Sequence, residues 1–185
     1  KIQLNESILI LGNSDADNSL NATLIGGKSS QLIKEGSGKI SLNGNCGAFE
    51  GTITVNHGEI DFQDNVKADH AAVCLFSGTK LSLFENNSLR SLKTDEHAGV
   101  YLNDYSLTLG SLKEDKAESV LKGKIVGNKD SQLIQEGLGK VSLNGDCSEF
   151  KGTILVNNGE IDFQDNVKAD HAALRLLKGT KLSLF

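Results

Sequence analysis

Residues 58–72 read GEIDFQDNVKADHAA, and residues 159–173 read the same. The likeness extends outward from this stretch. Ser30 to Phe84 aligns without a gap with Ser131 to Phe185, at an offset of 101 residues, and 42 of the 55 positions are identical. Such copies favour a stack of turns along one direction, because each turn then contacts only its neighbours. A sandwich or barrel would need different residues at its edges and at its centre.

Apolar and polar residues alternate within short segments of each copy. Residues 39–42 (KISL) and 59–62 (EIDF) show this pattern, which places the apolar side chains on one face of a strand. Pairs such as Asn43-Gly44 and His57-Gly58 separate the segments, and these residues tolerate positive φ at tight corners. No window carries a sustained helical period. The sequence predicts an all-β chain, a right-handed parallel β-helix with three sides and roughly a dozen strands per unit.

The chain is interpreted as one solenoid segment over residues 1–185, an excerpt without caps. It opens and closes on strand-like runs, Lys1 to Leu4 and Lys181 to Phe185, whereas natural solenoids end in polar caps. Unpaired strand edges at both ends predict self-association of the isolated chain.

The repeat unit is expected to hold a whole number of turns, four or five. Equivalent residues such as Phe62 and Phe163 should then face the same side of the solenoid. Upstream of the repeat, Ile8 to Gly12 resembles Ser106 to Gly110 at an offset of only 98 residues. The second copy therefore carries about three extra residues before Leu121, which are expected in a loop.

Composition and charge exclude several classes of function. A net charge of −5 without a dense basic cluster argues against nucleic-acid binding, and the longest apolar runs are too short to cross a membrane. The cysteines are odd in number, lack CxxC spacing and are predicted to be unpaired thiols without a metal: Cys46, Cys74 and Cys147. Cys74 is predicted to face solvent, because its equivalent is Arg175.

Carboxylates form the strongest candidate site, because solenoid lyases and glycosidases use carboxylates, sometimes with calcium. Glu59 and Asp61 share the outer face of one strand, about 7 Å apart, and could form an acid–base pair. Against catalysis, the whole constellation is repeated, and it lacks an accompanying arginine or an exposed aromatic platform for a sugar. A solvated outer face is the favoured interpretation. The two sets are Glu59, Asp61 and Asp64, and Glu160, Asp162 and Asp165.

Two further patterns receive structural interpretations. His70 and His171 each follow an aspartate, but no serine nucleophile elbow accompanies them, so turn or surface histidines are expected. Gly36-Ser37-Gly38 and Gly137-Leu138-Gly139 lack the following helix that a phosphate-binding loop needs, so both are predicted to be corners.

Residues 32–44 (LIKEGSGKISLNG) and 49–60 (FEGTITVNHGEI) resemble the passenger-associated repeat of bacterial autotransporters. That pattern runs roughly K-x-G-x-G-x-L-x-L-x-G and then F/Y-x-G-x-T-x-V-x-x-G-x-L. The second copy, residues 133–161, matches it equally well, and the motif covers about 29 residues of each copy.

The resemblance implies a β-helical passenger segment that is exposed on the cell surface, anchored through the outer membrane, or secreted. Such a segment is expected to act as an adhesin or structural stalk without enzymatic activity, cofactor, metal or catalytic residue. Its partners would be molecules of host or neighbouring cells. Two alternatives stay open: the stalk of a toxin or enzyme passenger, and a carbohydrate-active β-helix enzyme.

Overall fold

The computed structural model describes residues 1–64, 66–112, 116–164 and 167–184. These residues form a parallel β-solenoid of about eight turns with three sides, and they contain no helix. The chain visits the three sides in a fixed order. Neighbouring strands within each sheet are parallel and one turn apart, so the predicted all-β class and parallel β-helix are confirmed.

The first side carries two sheets in succession. Between them, at residues 66–69, the side chain of Asn87 replaces the strand ladder: its amide donates to the Val66 carbonyl and accepts from the Ala68 amide. The strands of this side are β1 (Ile2–Leu4), β4 (Leu24–Gly26) and β7 (Ala48–Phe49) in the first sheet, and β12 (Asn87–Leu89), β15 (Ser106–Leu109), β18 (Gln132–Gln135), β20 (Thr153–Val156) and β22 (Ala173–Leu176) in the second.

The second side is one nine-stranded sheet that runs the length of the solenoid. Its register measures the turns: Leu32 pairs with Ile53 and Ile53 with Val73, which makes these turns 21 and 20 residues long. Its strands are β2 (Ile8–Leu11), β5 (Gln31–Lys34), β8 (Thr52–Val55), β10 (Ala72–Leu75), β13 (Ser91–Thr94), β16 (Ser119–Leu121), β19 (Lys140–Leu143), β21 (Glu160–Phe163) and β23 (Lys181–Leu184).

The third side is a six-stranded sheet that two isolated bridges continue, Gly127 with Phe150 and Asp146 with Lys168. Its strands are β3 (Asn18–Leu20), β6 (Lys39–Leu42), β9 (Glu59–Phe62), β11 (Lys80–Leu83), β14 (Gly99–Tyr101) and β17 (Lys124–Val126).

The core is a narrow column of aliphatic side chains from all three sides. Alternate residues of each strand point inward and stack on their register partners, as Ile40, Ile60 and Leu81 do on the third side. All three are buried, and their polar neighbours face outward. The alternation in the sequence therefore predicted the inward rows correctly.

The two copies of the repeat lie on different sides of the solenoid. Residues 59–62 form β9 on the third side, whereas residues 160–163 form β21 on the second. On the second side, β16 lies four turns after β5. The strand equivalent to β5 in the second copy is β18, which follows β16 by two further sides. The prediction that the unit holds a whole number of turns, with Phe62 and Phe163 on the same side, is therefore wrong.

The displacement is possible because all three sides are built from the same kind of strand and corner. Gly58 and Gly159, which are equivalent, have φ values of 70° and 68°, and a Cβ on either would overlap a carbonyl oxygen of the corner one turn earlier. The same residues thus make the same corner on either side. Only the number of residues between strands decides which side a strand joins.

The second copy is three residues longer in one connection between strands, where the sequence predicts a loop. Residues 12–17 connect β2 to β3, whereas residues 110–118 connect β15 to β16, three residues more. Gly12 and Gly110 begin these connections with the same φ of 69°. Residues 113–115 of the longer connection lie outside the described residues.

Candidate functional site

The carboxylate pair predicted from the sequence lies on the outer surface of the third side. Glu59 and Asp61 alternate with the inward residues of β9, so both start on the outer face. In register, Asp61 lies between Ser41 of β6 and Ser82 of β11. Asp64, the third acid of this set, lies exposed in the turn that follows β9, and no hydrogen bond among the described residues joins it to Asp61.

Asp61 is buried although it points outward, with only 1% of its surface exposed. The ammonium of Lys39 lies 3.3 Å from its Oδ2, and Gln63 donates to the same oxygen at 3.4 Å. Its Oδ1 is buried without a hydrogen-bond partner. Glu59 instead accepts a hydrogen bond of 2.7 Å from the hydroxyl of Ser82.

Burial raises the pKa of the Asp61 carboxyl to about 6, because the ionised form loses its water. The negative charge of Glu59 raises this pKa further, and the ion pair with Lys39 opposes the rise. The pKa of Lys39 is in turn raised, first by its hydrogen bond to Asp61 and then by the charge of that carboxylate. The pKa of one carboxyl of the pair, that of Asp61, is thus raised toward neutral pH.

The second copy rebuilds this arrangement on the second side of the solenoid. Asp162 is 2% exposed, lies 3.4 Å from the ammonium of Lys140, and also leaves its Oδ1 unpartnered. Its Oδ2 is better satisfied than that of Asp61, because Gln164 donates to it at 2.6 Å and Ser142 at 3.3 Å. Asp165, the third acid of the set, lies outside the described residues.

The geometry does not favour acid–base catalysis by either pair. A general acid or base must come within hydrogen-bonding reach of the substrate atom that exchanges the proton. Asp61 and Asp162 are covered by their neighbours, so a sugar on the outer surface would meet Lys39 or Glu59 before it met Asp61. The arrangement can hold a proton, but it presents no reachable pair of carboxyl oxygens.

The two histidines singled out from the sequence take structural roles. His70 lies in the turn before β10, where its Nδ1 is 2.8 Å from the carbonyl oxygen of Gly47, one turn earlier. Asp69, beside it, accepts a hydrogen bond from Ser88. His171 is exposed at the equivalent position. Neither histidine is aligned with a serine hydroxyl among the hydrogen bonds of the described residues.

The Gly-x-Gly segments are corners, as predicted, and each encloses a buried polar side chain that the sequence analysis missed. Lys34 points into the core from β5, is 1% exposed, and donates from its ammonium to the carbonyls of Glu35 (2.6 Å), Gly36 (2.7 Å) and His57 (3.2 Å). Desolvation lowers the pKa of Lys34, and Glu35 opposes this.

Gln135 takes the place of Lys34 in the second copy. It is buried, and its amide donates to the carbonyls of Gly137 (2.8 Å) and Gly139 (3.1 Å). The alternation of Leu32 with Lys34, and of Leu133 with Gln135, was the available signal. It places a long polar side chain at an inward position of each copy.

Three cysteine side chains are unpaired thiols, two of them in the interior. Burial raises the pKa of Cys46 to about 11 and that of Cys147 to about 12, which leaves both thiols protonated and poorly nucleophilic. Cys74 lies in the outward row between Thr54 and Lys93, so its predicted orientation is confirmed, but neighbouring side chains half bury it.

A tyrosine on the outer face is a further feature that the sequence analysis did not single out. Lys80, Gly99 and Lys124 are register partners on successive turns, and the ring of Tyr101 folds back into the space that Gly99 leaves. The ammonium groups of Lys80 and Lys124 lie 5.8 Å and 5.3 Å from the ring centroid. The ring thus separates two like charges through cation–π contacts.

No family model matches this chain, and no curated protein or solved structure matches it. Within the described ranges, no three histidine, cysteine, aspartate or glutamate side chains converge on a possible metal position. Among those same residues, the structure has no helix of the length and apolarity that crossing a bilayer requires. The described residues form a parallel β-solenoid of about eight turns, as in a β-helix repeat protein.

Proposed function

We propose that this chain is a rod segment of a bacterial autotransporter passenger, which acts as a structural stalk or adhesin on the cell surface or after secretion. The passenger assignment rests on the sequence resemblance of residues 32–44 and 49–60, and the observation that supports the rod role is the displacement of the two repeat copies by one side. A single extended ligand surface would need equivalent residues to face the same way. Here Glu59 and Glu160 lie on different sides of the solenoid.

The repeated outer surface fits a rod better than it fits one active site. Residues 39–42 and 59–63 of the first copy and their equivalents in the second place the same lysine, serine, glutamate, aspartate and glutamine side chains outward on two sides. An enzyme needs one constellation that converges on one substrate. A stalk or adhesin is served by a surface that recurs around its axis.

The continuous ladder of backbone hydrogen bonds also supports a mechanical role. Eight successive steps of parallel pairing join β2 to β23 along the second side. Stability in such a stack is close to a sum of turns and their interfaces, so length can change without loss of the fold. Partners on host or neighbouring cells, and self-association, belong to this proposal.

Surface exposure can be tested with the natural full-length protein on intact cells. Protease treatment should remove an epitope placed in the exposed turn at Gly78 while leaving a cytoplasmic control protein intact. The same epitope cleaved only after cell lysis would overturn the surface assignment.

The stalk role can be tested by changing the number of turns. Deletion of residues 52–71 removes one turn, since Thr52 and Ala72 are register partners, and should leave cell binding by the full-length protein intact. Deletion of residues 52–61 removes half a turn and should abolish display. Loss of binding in a folded variant that carries only Lys80→Ser and Lys124→Ser would instead make this segment the ligand-binding part.

A further inference from the structure

Glu59 and Asp61 are alternate residues on the outer face of β9, and a side-chain hydrogen bond between them is among the causes that raise the pKa of Asp61. Two ionised carboxylates cannot form a hydrogen bond, because neither has a donor. The Oδ1 of Asp61 is also buried without a donor. A buried acceptor without a partner is costly, and a proton held between the two groups would remove that cost.

We propose that Glu59 and Asp61 share one proton in the folded solenoid, and that uptake of this proton at mildly acidic pH stabilises the first copy. The arrangement is a proton-binding site on the rod surface. It goes beyond the proposed stalk function and does not depend on it.

The charged groups around the pair favour retention of one negative charge and one proton. Lys39 of β6 contacts Asp61 at 3.3 Å, and Lys80 of β11 is the register partner of Glu59. Asp17, near the start of β3, acts on Lys39 and offsets part of its charge. The ammonium of Lys80 lies over the ring of Tyr101, so Lys39 is the cation in contact with a pair that would carry two negative charges if it were fully ionised.

The second copy supplies a natural comparison for the proposal. Gln164 donates to Asp162 at 2.6 Å, whereas the equivalent donor, Gln63, lies 3.4 Å from Asp61. Ser142 also donates to Asp162, at 3.3 Å, whereas Ser41, its equivalent, makes no such bond to Asp61 among the hydrogen bonds of the described residues. Neutral donors thus satisfy the Oδ2 of Asp162 more fully than that of Asp61, whereas the Oδ1 is without a partner in both copies.

The direction of the pH effect follows from the raised pKa of Asp61. The folded pKa of about 6 lies above the unfolded value of 3.8, so the folded state binds the proton more tightly. The stabilisation appears as the pH falls through 6 and is complete near 4, where the unfolded state also takes up its proton. Between pH 7.5 and 5.0 the shared proton should raise the folding equilibrium constant by about tenfold.

Carbon-13 NMR of the chain with labelled aspartate and glutamate side chains tests the site directly. The Asp61 carboxyl resonance, assigned by its absence in Asp61→Asn, should titrate with a midpoint near pH 6. Removal of the second carboxyl in Glu59→Gln should shift this midpoint down. A midpoint below about 4.5 in the unmodified chain, near the value of a free carboxyl, would overturn the proposal.

Urea unfolding at pH 7.5 and 5.0 tests the consequence for stability. The gain is the factor by which the folding equilibrium constant rises between pH 7.5 and pH 5.0. This factor should be about tenfold smaller in Asp61→Asn than in the unmodified chain, since all other groups contribute equally to both. Asp162→Asn is the matched control and should retain most of the gain. An equal gain in the unmodified chain and in Asp61→Asn would overturn the proposal, as would loss of the gain in Asp162→Asn alone.

Discussion

The two copies of the repeat, residues 30–84 and 131–184, share their local geometry but differ in their place in the solenoid. Equivalent strands carry the same inward and outward alternation, yet β9 joins the third side and β21 the second. Burial differs as well: β10 lies within the stack, and all four residues of its equivalent, β22, are exposed. A local sequence therefore specifies a strand and its corner, while the stack decides orientation and burial.

The largest expected effect tests whether the corners of both copies are equally tight. A Cβ on Gly44 would overlap the carbonyl oxygen of Ala22, and a Cβ on Gly145 would overlap that of Gly123. Gly44→Ala and Gly145→Ala should each lower the free energy of unfolding by about 4 kcal/mol or more, since adjacent turns must separate.

Urea unfolding followed by circular dichroism measures this loss. Gly27→Ala is the control, because a Cβ there meets no atom within 4 Å, and it should change stability by less than about 0.5 kcal/mol. A large loss at Gly44 with none at Gly145 would show that the two corners are not equivalent.

The second prediction uses equivalent leucines whose burial differs. Leu83 is fully buried, whereas Leu184 is 72% exposed. Leu83→Ala should cost about 3 kcal/mol through lost burial and a cavity. Leu184→Ala removes a side chain that already meets water, so it should cost less than about 1 kcal/mol. Equal losses in urea titrations would mean that the last turn is covered in solution.

The third prediction concerns the polar side chains that the corners enclose. Lys34→Met keeps most of the volume but leaves three partly buried carbonyls without their donor, so it should cost about 2–3 kcal/mol. Gln135→Met frees two carbonyls and should cost about 1–2 kcal/mol.

Lys34→Gln separates the role of the donor from that of the charge. It should cost at most about 1 kcal/mol, because the amide of Gln135 already makes two such bonds from the equivalent position. Thermal unfolding of the three variants ranks them. A stability of Lys34→Met at or above that of the unmodified chain would show that the buried ammonium is a net cost to the fold.

The smallest effect concerns reactivity without a change in stability. Burial raises the pKa of all three thiols, but Cys74 is only half-buried on the outer face, whereas the pKa values of the buried Cys46 and Cys147 rise to about 11 and about 12. In the folded chain at pH 8, a thiol reagent should therefore modify Cys74 first, as mass spectrometry of timed samples would show. Cys46 and Cys147 should resist equally although they lie on different sides. Labelling of either before Cys74 would contradict the structure.

Much of the fold could be predicted from the sequence, and less of the candidate site. The alternation in residues 39–42 and 59–62 defined strands and their inward faces, and the glycines marked the corners. The carboxylate pair was found, but its burial was not, because an outward residue becomes covered only through neighbours on adjacent turns. Lys34 was missed for a related reason: its carbonyl partners belong to a corner and to the next turn.

The sequence by itself determined the strands, the corners, the parallel stack and the likeness of the two copies, because these depend on side-chain alternation and on the backbone freedom of glycine within a few residues. Only the tertiary structure decided which side each copy occupies. That outcome depends on the lengths of all intervening turns, which vary from 19 residues between Val73 and Leu92 to 27 between Lys93 and Val120. No local sequence pattern encodes the total length of the intervening turns. Equivalent residues of the two copies therefore have the same backbone conformation but lie on different sides of the solenoid.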